Sequence, residues 1–121
     1  MMANVKFTTA TVKLSGFQKK LLYKTPSHIS HATLTNCQVA NTEDDTIYIT
    51  VQYSRGDTNE PFVFVRRAAV PTGSALNALV DTVNLTPGDR VSVVLEYNSA
   101  AEGPLVPSAD VYASIQEYTN A

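Results

Sequence analysis

Apolar and polar residues alternate with a period of two along most of the chain. Ile47, Ile49, Val51 and Tyr53 alternate with Thr46, Tyr48, Thr50 and Gln52, as in a strand with one face buried and the other wet. Val91, Val93, Leu95 and Tyr97 repeat the pattern. So do Val111, Ala113 and Ile115, with Asp110, Tyr112, Ser114 and Gln116 on the other face. Phe62-Val63-Phe64-Val65 is apolar on both faces, which predicts a central strand or one lying under a neighbour. Weaker alternation predicts strands at about 4–14, 20–24, 29–39 and 75–80, roughly eight in all. No segment sustains a helical period beyond two turns, and residues 74–80, with Ala75, Leu76, Ala78 and Leu79, offer the one place for a short helix.

Turn chemistry separates these segments at sandwich-like spacing. A polar run covers residues 41–45, and a longer loop with Gly56, Asp57 and Asn59 covers 55–61. Pro71-Thr72-Gly73 predicts a turn, and Pro87-Gly88 suits the centre of a type II turn, whose third position needs positive φ. Residues 98–108, with Gly103, Pro104 and Pro107, form the expected irregular excursion. No repeat, low-complexity tract or linker interrupts the pattern. The expected fold is an all-β, antiparallel sandwich or jelly roll forming one domain over residues 1–121, with residues 1–20 either an arm or an edge strand.

The 121 residues are 44% apolar and 17% charged, enough for one core that buries about two-thirds of the unfolded surface. The single cysteine, Cys37, excludes an internal disulfide framework. The N-terminus has no basic-plus-apolar leader and no apolar run approaches about 18 residues. The expectation is a soluble chain made in a reducing compartment and not inserted in a membrane. Net charge is only −2 but is unevenly placed: residues 1–42 hold five lysines and no acid, whereas residues 43–121 hold four arginines and eleven acids. This asymmetry favours docking a basic end on an acidic neighbour, another copy included. Five dispersed lysines without an aromatic platform do not make a nucleic-acid footprint, so nucleic acid is not an expected partner.

Candidate chemistry is sparse. His28 and His31 would share a helical face, but an extended chain points them to opposite sides, and no acid or cysteine near them in sequence completes a metal set. Cys37 sits in an alternating strand, the place of a small buried hydrophobe rather than a nucleophile. Glu43-Asp44-Asp45 lacks the alternation of a calcium loop. Arg55-Gly56-Asp57 spells an adhesion tripeptide and Asn84-Leu85-Thr86 a glycosylation sequon, but no secretory signal accompanies either. Arg66-Arg67 ends the apolar strand, and adjacent strand residues point opposite ways, so one guanidinium is expected to face inward or towards a partner. Tyr112 and Tyr118 are the aromatic pair best suited to packing on another subunit or, in an alternative reading, to stacking on a sugar. No phosphate loop, zinc set or Ser-His-Asp constellation is legible, so no enzymatic activity, cofactor or metal is expected. The expected assembly contacts are Lys19, Lys20, Arg66, Arg67, Tyr112 and Tyr118.

The order of turn signatures resembles a known group. Leu22-Tyr23-Lys24-Thr25-Pro26 opens the series and Ala40-Asn41-Thr42 follows. Val70-Pro71-Thr72-Gly73-Ser74, Leu85-Thr86-Pro87-Gly88-Asp89 and Asp110-Val111-Tyr112-Ala113-Ser114 complete it. This resembles small β-sandwich structural proteins of tailed bacteriophages over residues 20 to 117. The resemblance implies a non-enzymatic subunit of the virion made in the host bacterial cytoplasm: a capsid decoration, a neck or collar component, or a fibre-attachment module. Its implied partners are copies of itself and other virion proteins of the capsid, portal, neck or tail. The alternative is a carbohydrate- or receptor-binding module of a fibre or tail.

Overall fold

The computed structural model describes residues 3–56, 58, 60–79, 81–96 and 106–120. Nine strands run in chain order: β1 (Ala3–Ser15), β2 (Lys20–Lys24), β3 (His31–Asn41), β4 (Ile47–Ser54), β5 (Pro61–Val70), β6 (Ala75–Asn77), β7 (Val83–Leu85), β8 (Arg90–Glu96) and β9 (Ser108–Asn120). All pairings are antiparallel and form two sheets. One has the order β1-β9-β3-β6, with β7 also on β3; the other is β2-β8-β4-β5. The described residues contain no helix, and none is therefore long and apolar enough to cross a membrane.

The topology is a rolled hairpin. β1 pairs with β9, β2 with β8, β3 with β6 and β7, and β4 with β5, so the first half of the chain meets the second in nested order. Rolling this ribbon adds the β3–β9 and β4–β8 ladders and closes two facing sheets, the jelly-roll solution to burying one face of every strand. β6 and β7 together occupy one position in this plan. That is why the count is nine rather than about eight: the three-residue Val83–Leu85 is too short for alternation to betray it. The possible helix at 74–80 is instead strand β6 and the chain that follows it.

Period-two burial fills the space between the sheets. Leu34, Val39, Val111 and Ile115 come from the first sheet, and Ile47, Ile49, Val51, Val91, Val93 and Leu95 from the second, each at most 2% exposed. Of the two places expected for the Phe62–Val65 run, the central strand is not the one found: the run lies in β5, the outer edge of the second sheet, with Phe62 and Val63 each 49% exposed. Phe62 and Phe64 both pack on Tyr53, with ring centroids 6.1 and 5.7 Å away. Double-sided apolarity here marks an exposed edge, not a central strand.

Loop side chains fasten both ends of the roll. At one end Asn41, itself buried, donates from Nδ2 to the Asp45 and Val70 carbonyls (2.8 Å each) and accepts from the Glu43 amide (2.7 Å). Glu43 accepts from Ser108 Oγ at 2.7 Å. Gly73 at φ 72° completes the adjacent turn, closed by Ser74 N to Pro71 O at 3.2 Å. At the other end Gly88 at φ 90° sits in the turn closed by Asp89 N to Thr86 O at 3.0 Å, the left-handed geometry that favours glycine.

Candidate interaction surfaces

Among the described residues, no group of three or more His, Cys, Asp and Glu could hold a metal ion. His28 lies exposed in the β2–β3 loop. His31 begins β3 and stacks on Tyr118, its register partner, with centroids 4.3 Å apart and planes at 9°. Cys37 is fully buried, and that burial pushes its thiol up to about 11, so it stays protonated and inert at neutral pH. In the acidic trio Glu43 is bound into its loop, while Asp44 and Asp45 face solvent. Asn84 lies exposed on β7 and its amide oxygen accepts from Thr33 Oγ1 at 3.2 Å.

Arg55 and Gly56 begin the β4–β5 loop, and Asp57 lies outside the described residues, as does Tyr97. Gly56 has a packing reason. A Cβ there would stand 3.0 Å from the carbonyl carbon of Gly88, because the two loops touch through their backbones. Asp89 secures that touch. Its carboxylate accepts from the Gly56 amide (3.1 Å), the Thr86 amide and hydroxyl (2.9 Å each) and Tyr53 OH (2.9 Å). Burial alone would raise the Asp89 pKa, but these hydrogen bonds outweigh it and hold the carboxyl below its ordinary value,.

Sequence reasoning expected six contact residues, and the structure distributes them over three places. Lys19 ends the β1–β2 connection and Lys20 begins β2, and both line a groove of about 450 Å³ with Leu21, Ser54, Arg90 and Ser92. Lys20 also serves the fold itself, its Nζ donating to the Lys13 carbonyl at 3.2 Å and tying the edge of one sheet to the other. Arg66 and Arg67 lie on the opposite edge, and both are exposed. Neither is buried, so the inward alternative is not met, and a bulge interrupts the alternation between them. Ile49 pairs with Ala68 and Val51 with Val65, so both arginines oppose Thr50 alone,. Arg67 takes φ 52° and its amide donates to Thr50 Oγ1 at 3.0 Å.

Tyr112 and Tyr118 lie on one face but six residues apart along β9, about 20 Å. Ala109, Val111, Ala113, Ile115 and Glu117 of β9 face the core, so Tyr112 and Tyr118 share the outer face of the β1-β9-β3 sheet. Register places Thr11 and Gln38 beside Tyr112, and Val5 and His31 beside Tyr118. Tyr118 is pinned: its hydroxyl donates to Gln116 Oε1 at 2.6 Å, and its carbonyl accepts from Ser30 N and Oγ at 2.8 Å each. Sequence reasoning missed Phe7, which register places beside Gln116 on the same face, 76% exposed. The signal was a change of phase. Val5 and Phe7 are odd-numbered, Ala10, Val12 and Leu14 even, and β1 runs unbroken through both sets, so the two sets must face opposite ways.

The second sheet's outer face also carries apolar groups. Leu21 pairs with Ser92, Ser92 with Gln52, and Gln52 with Val63. This row therefore ends on two half-exposed aliphatic side chains, Leu21 at 52% and Val63 at 49%.

No protein-family model matches the sequence, and no curated protein matches it. Solved structures share the fold. A chain from the structure of Bacillus endospore appendages, a family of disulfide-linked pili, aligns with a TM-score of 0.55 and 11% identity, covering 99% of this chain and 93% of that one. A chain of T=1 particles derived from infectious bursal virus aligns with a TM-score of 0.64 and 9% identity over 98% of this chain and 32% of its own. A chain of the Gt strain of infectious bursal disease virus gives 0.59 and 11%, covering 98% of this chain and 33% of that one. The chain thus spans about a third of these two viral chains. At these identities the likeness establishes a shared β fold.

Proposed function

We propose that the chain is a structural subunit of a tailed-phage virion, present in multiple copies at the neck or collar or on the capsid exterior, and that it works by protein–protein contact rather than catalysis. The observation that carries this reading is the distribution of exposed apolar side chains. Phe7 and Val5 lie on one outer face, Leu21 and Val63 on the other, and Phe62 on the β5 edge. A subunit with several neighbours needs several such surfaces. Support comes from the order of turn signatures resembling small phage virion proteins, and from a fold shared with chains of viral particles and of a bacterial surface appendage. Disulfide linkage, named for that appendage, is not available to this folded chain, since Cys37 is buried in β3. Contacts here are non-covalent. Arg66, Arg67, Lys19, Tyr112 and Tyr118 are assigned to them, with the lysine-rich first third steering encounter. The test is to add purified protein to phage particles produced without it. Saturable binding at a fixed number of copies per particle is expected; no binding overturns the virion reading.

A second reading is favoured by one feature. A concavity of about 510 Å³ beside Tyr112 is lined by Thr11, Lys13 and Asp110, and an aromatic ring flanked by hydroxyl, ammonium and carboxylate groups is suited to a sugar. A glycan array separates the two: a specific hit abolished by Tyr112→Ala establishes the carbohydrate module, and a blank array removes it.

A further inference from the structure

We infer that the outer face of the β1-β9-β3 sheet is a self-complementary contact, and that its occupant is the same face of a second copy. This deepens the assembly reading above by assigning one of its surfaces.

The first argument is charge. The chain carries nine cationic and eleven anionic side chains, yet the register rows of this face from Val5 to Lys13 hold only Lys13 and Asp110, and these neutralise each other at 3.1 Å. The rest are hydroxyls, amides, apolar groups and rings. Such a face can meet its own copy without net like-charge repulsion.

The second argument is the direction of symmetry. Val5, Phe7, Tyr118 and His31 stand at one end of the face, and Lys13 and Asp110 at the other. A two-fold axis in the plane of the sheet and along the strands would lay Asp110 near Asp110 of the second copy. One across the strands lays the aromatic end of each copy over the ion-paired end of the other. With Thr9 and Ser114, paired mid-face, meeting their own copies, Val5 lies over the Lys13 stem, Tyr118 over Asp110 and Phe7 over Thr11. The second arrangement repeats the same favourable contact twice.

The third argument is area. Strands of 13, 13 and 11 residues form this face. At about 3.4 Å per residue and 4.8 Å per strand they span roughly 600 Å² before side-chain relief, close to the roughly 800 Å² per partner of a stable interface. Both rings best placed to anchor it are exposed in the single chain, Phe7 at 76% and Tyr112 at 45%.

Sedimentation velocity of the purified full chain tests this, with Phe7→Glu and Tyr112→Glu as variants. Far-UV circular dichroism and thermal melting check their folding, and Phe7→Leu is the conservative control. A dimerisation constant changing little between 0.05 and 0.5 M salt is expected, weakened on the order of a hundredfold by either glutamate and nearly restored by Phe7→Leu. If the wild type associates and both folded glutamate variants associate equally well, this face is wrong and self-assembly runs elsewhere. If association vanishes at 0.5 M salt, the basic segment carries it instead, and the inference is likewise overturned. A wild-type monomer at all concentrations overturns the homotypic contact, while saturable binding to particles would still uphold the virion reading.

Discussion

Tyr23 donates its hydroxyl to Glu117 Oε2 at 2.6 Å, joining β2 of one sheet to β9 of the other. Glu117 is only 8% exposed, and a carboxylate in that position requires a partner. Burial first, then the hydrogen bond to Glu117 and its negative charge, push the Tyr23 pKa well above the ordinary tyrosine value, so the donor keeps its proton. Tyr23→Phe should cost about 1–3 kcal/mol by stranding the carboxylate, measured by urea unfolding at pH 7. A raised folded pKa gives stability that is complete below the unfolded value, near pH 10, and declines as pH rises past it. The wild type should therefore lose stability above about pH 10 more steeply than Tyr23→Phe.

Asp89 sets the opposite limb. Its depressed carboxyl contributes stability that is present above the unfolded value, about pH 4, and is lost as pH falls through the folded one. Asp89→Asn should cost about 2–3 kcal/mol at pH 7 and flatten the acid branch of the stability–pH curve. An acid branch unchanged by the substitution would place the acid sensitivity in other carboxylates.

Cys37 provides a reporter of opening. Because its thiol is buried and raised to about 11, a disulfide reagent at pH 8 should label native protein only as fast as the fold opens, and label urea-unfolded protein at once. Fast labelling of native protein would contradict the packing of β3.

Arg67 holds a left-handed backbone at φ 52°. Arg67→Gly should leave stability within about 0.5 kcal/mol of wild type, because relief of that strain offsets the greater freedom of the unfolded chain. Arg67→Val should cost about 1–2 kcal/mol, since a β-branched residue fits that conformation worst. Equal effects of the two would remove the left-handed backbone as the constraint at this position.

These residues also show what the sequence made legible. Long strands with one dry face, such as β4, β8 and β9, announce themselves because alternation and burial are the same fact. The turns at Asn41, Gly73 and Gly88 were readable because side-chain hydrogen bonding or positive φ selects the residue. β7 was not, since three residues carry no period. Phe62–Val65 misled because apolarity on both sides fits a central strand and an exposed edge equally well, and only pairing distinguishes them. The bulge at Arg66 and Arg67 was not legible, because it is a property of two strands, invisible in one. Tyr112 and Tyr118 of the outer face could be named, but Phe7 emerged only once register placed it beside β9.

The measurement that bears most directly on the assembly account is the light-scattering mass of the purified chain as its concentration is raised. A plateau at an integral multiple of the 13.1 kDa subunit, insensitive to salt, is the result the account predicts. A mass that stays at one subunit throughout would contradict a protein that works by meeting its own copies.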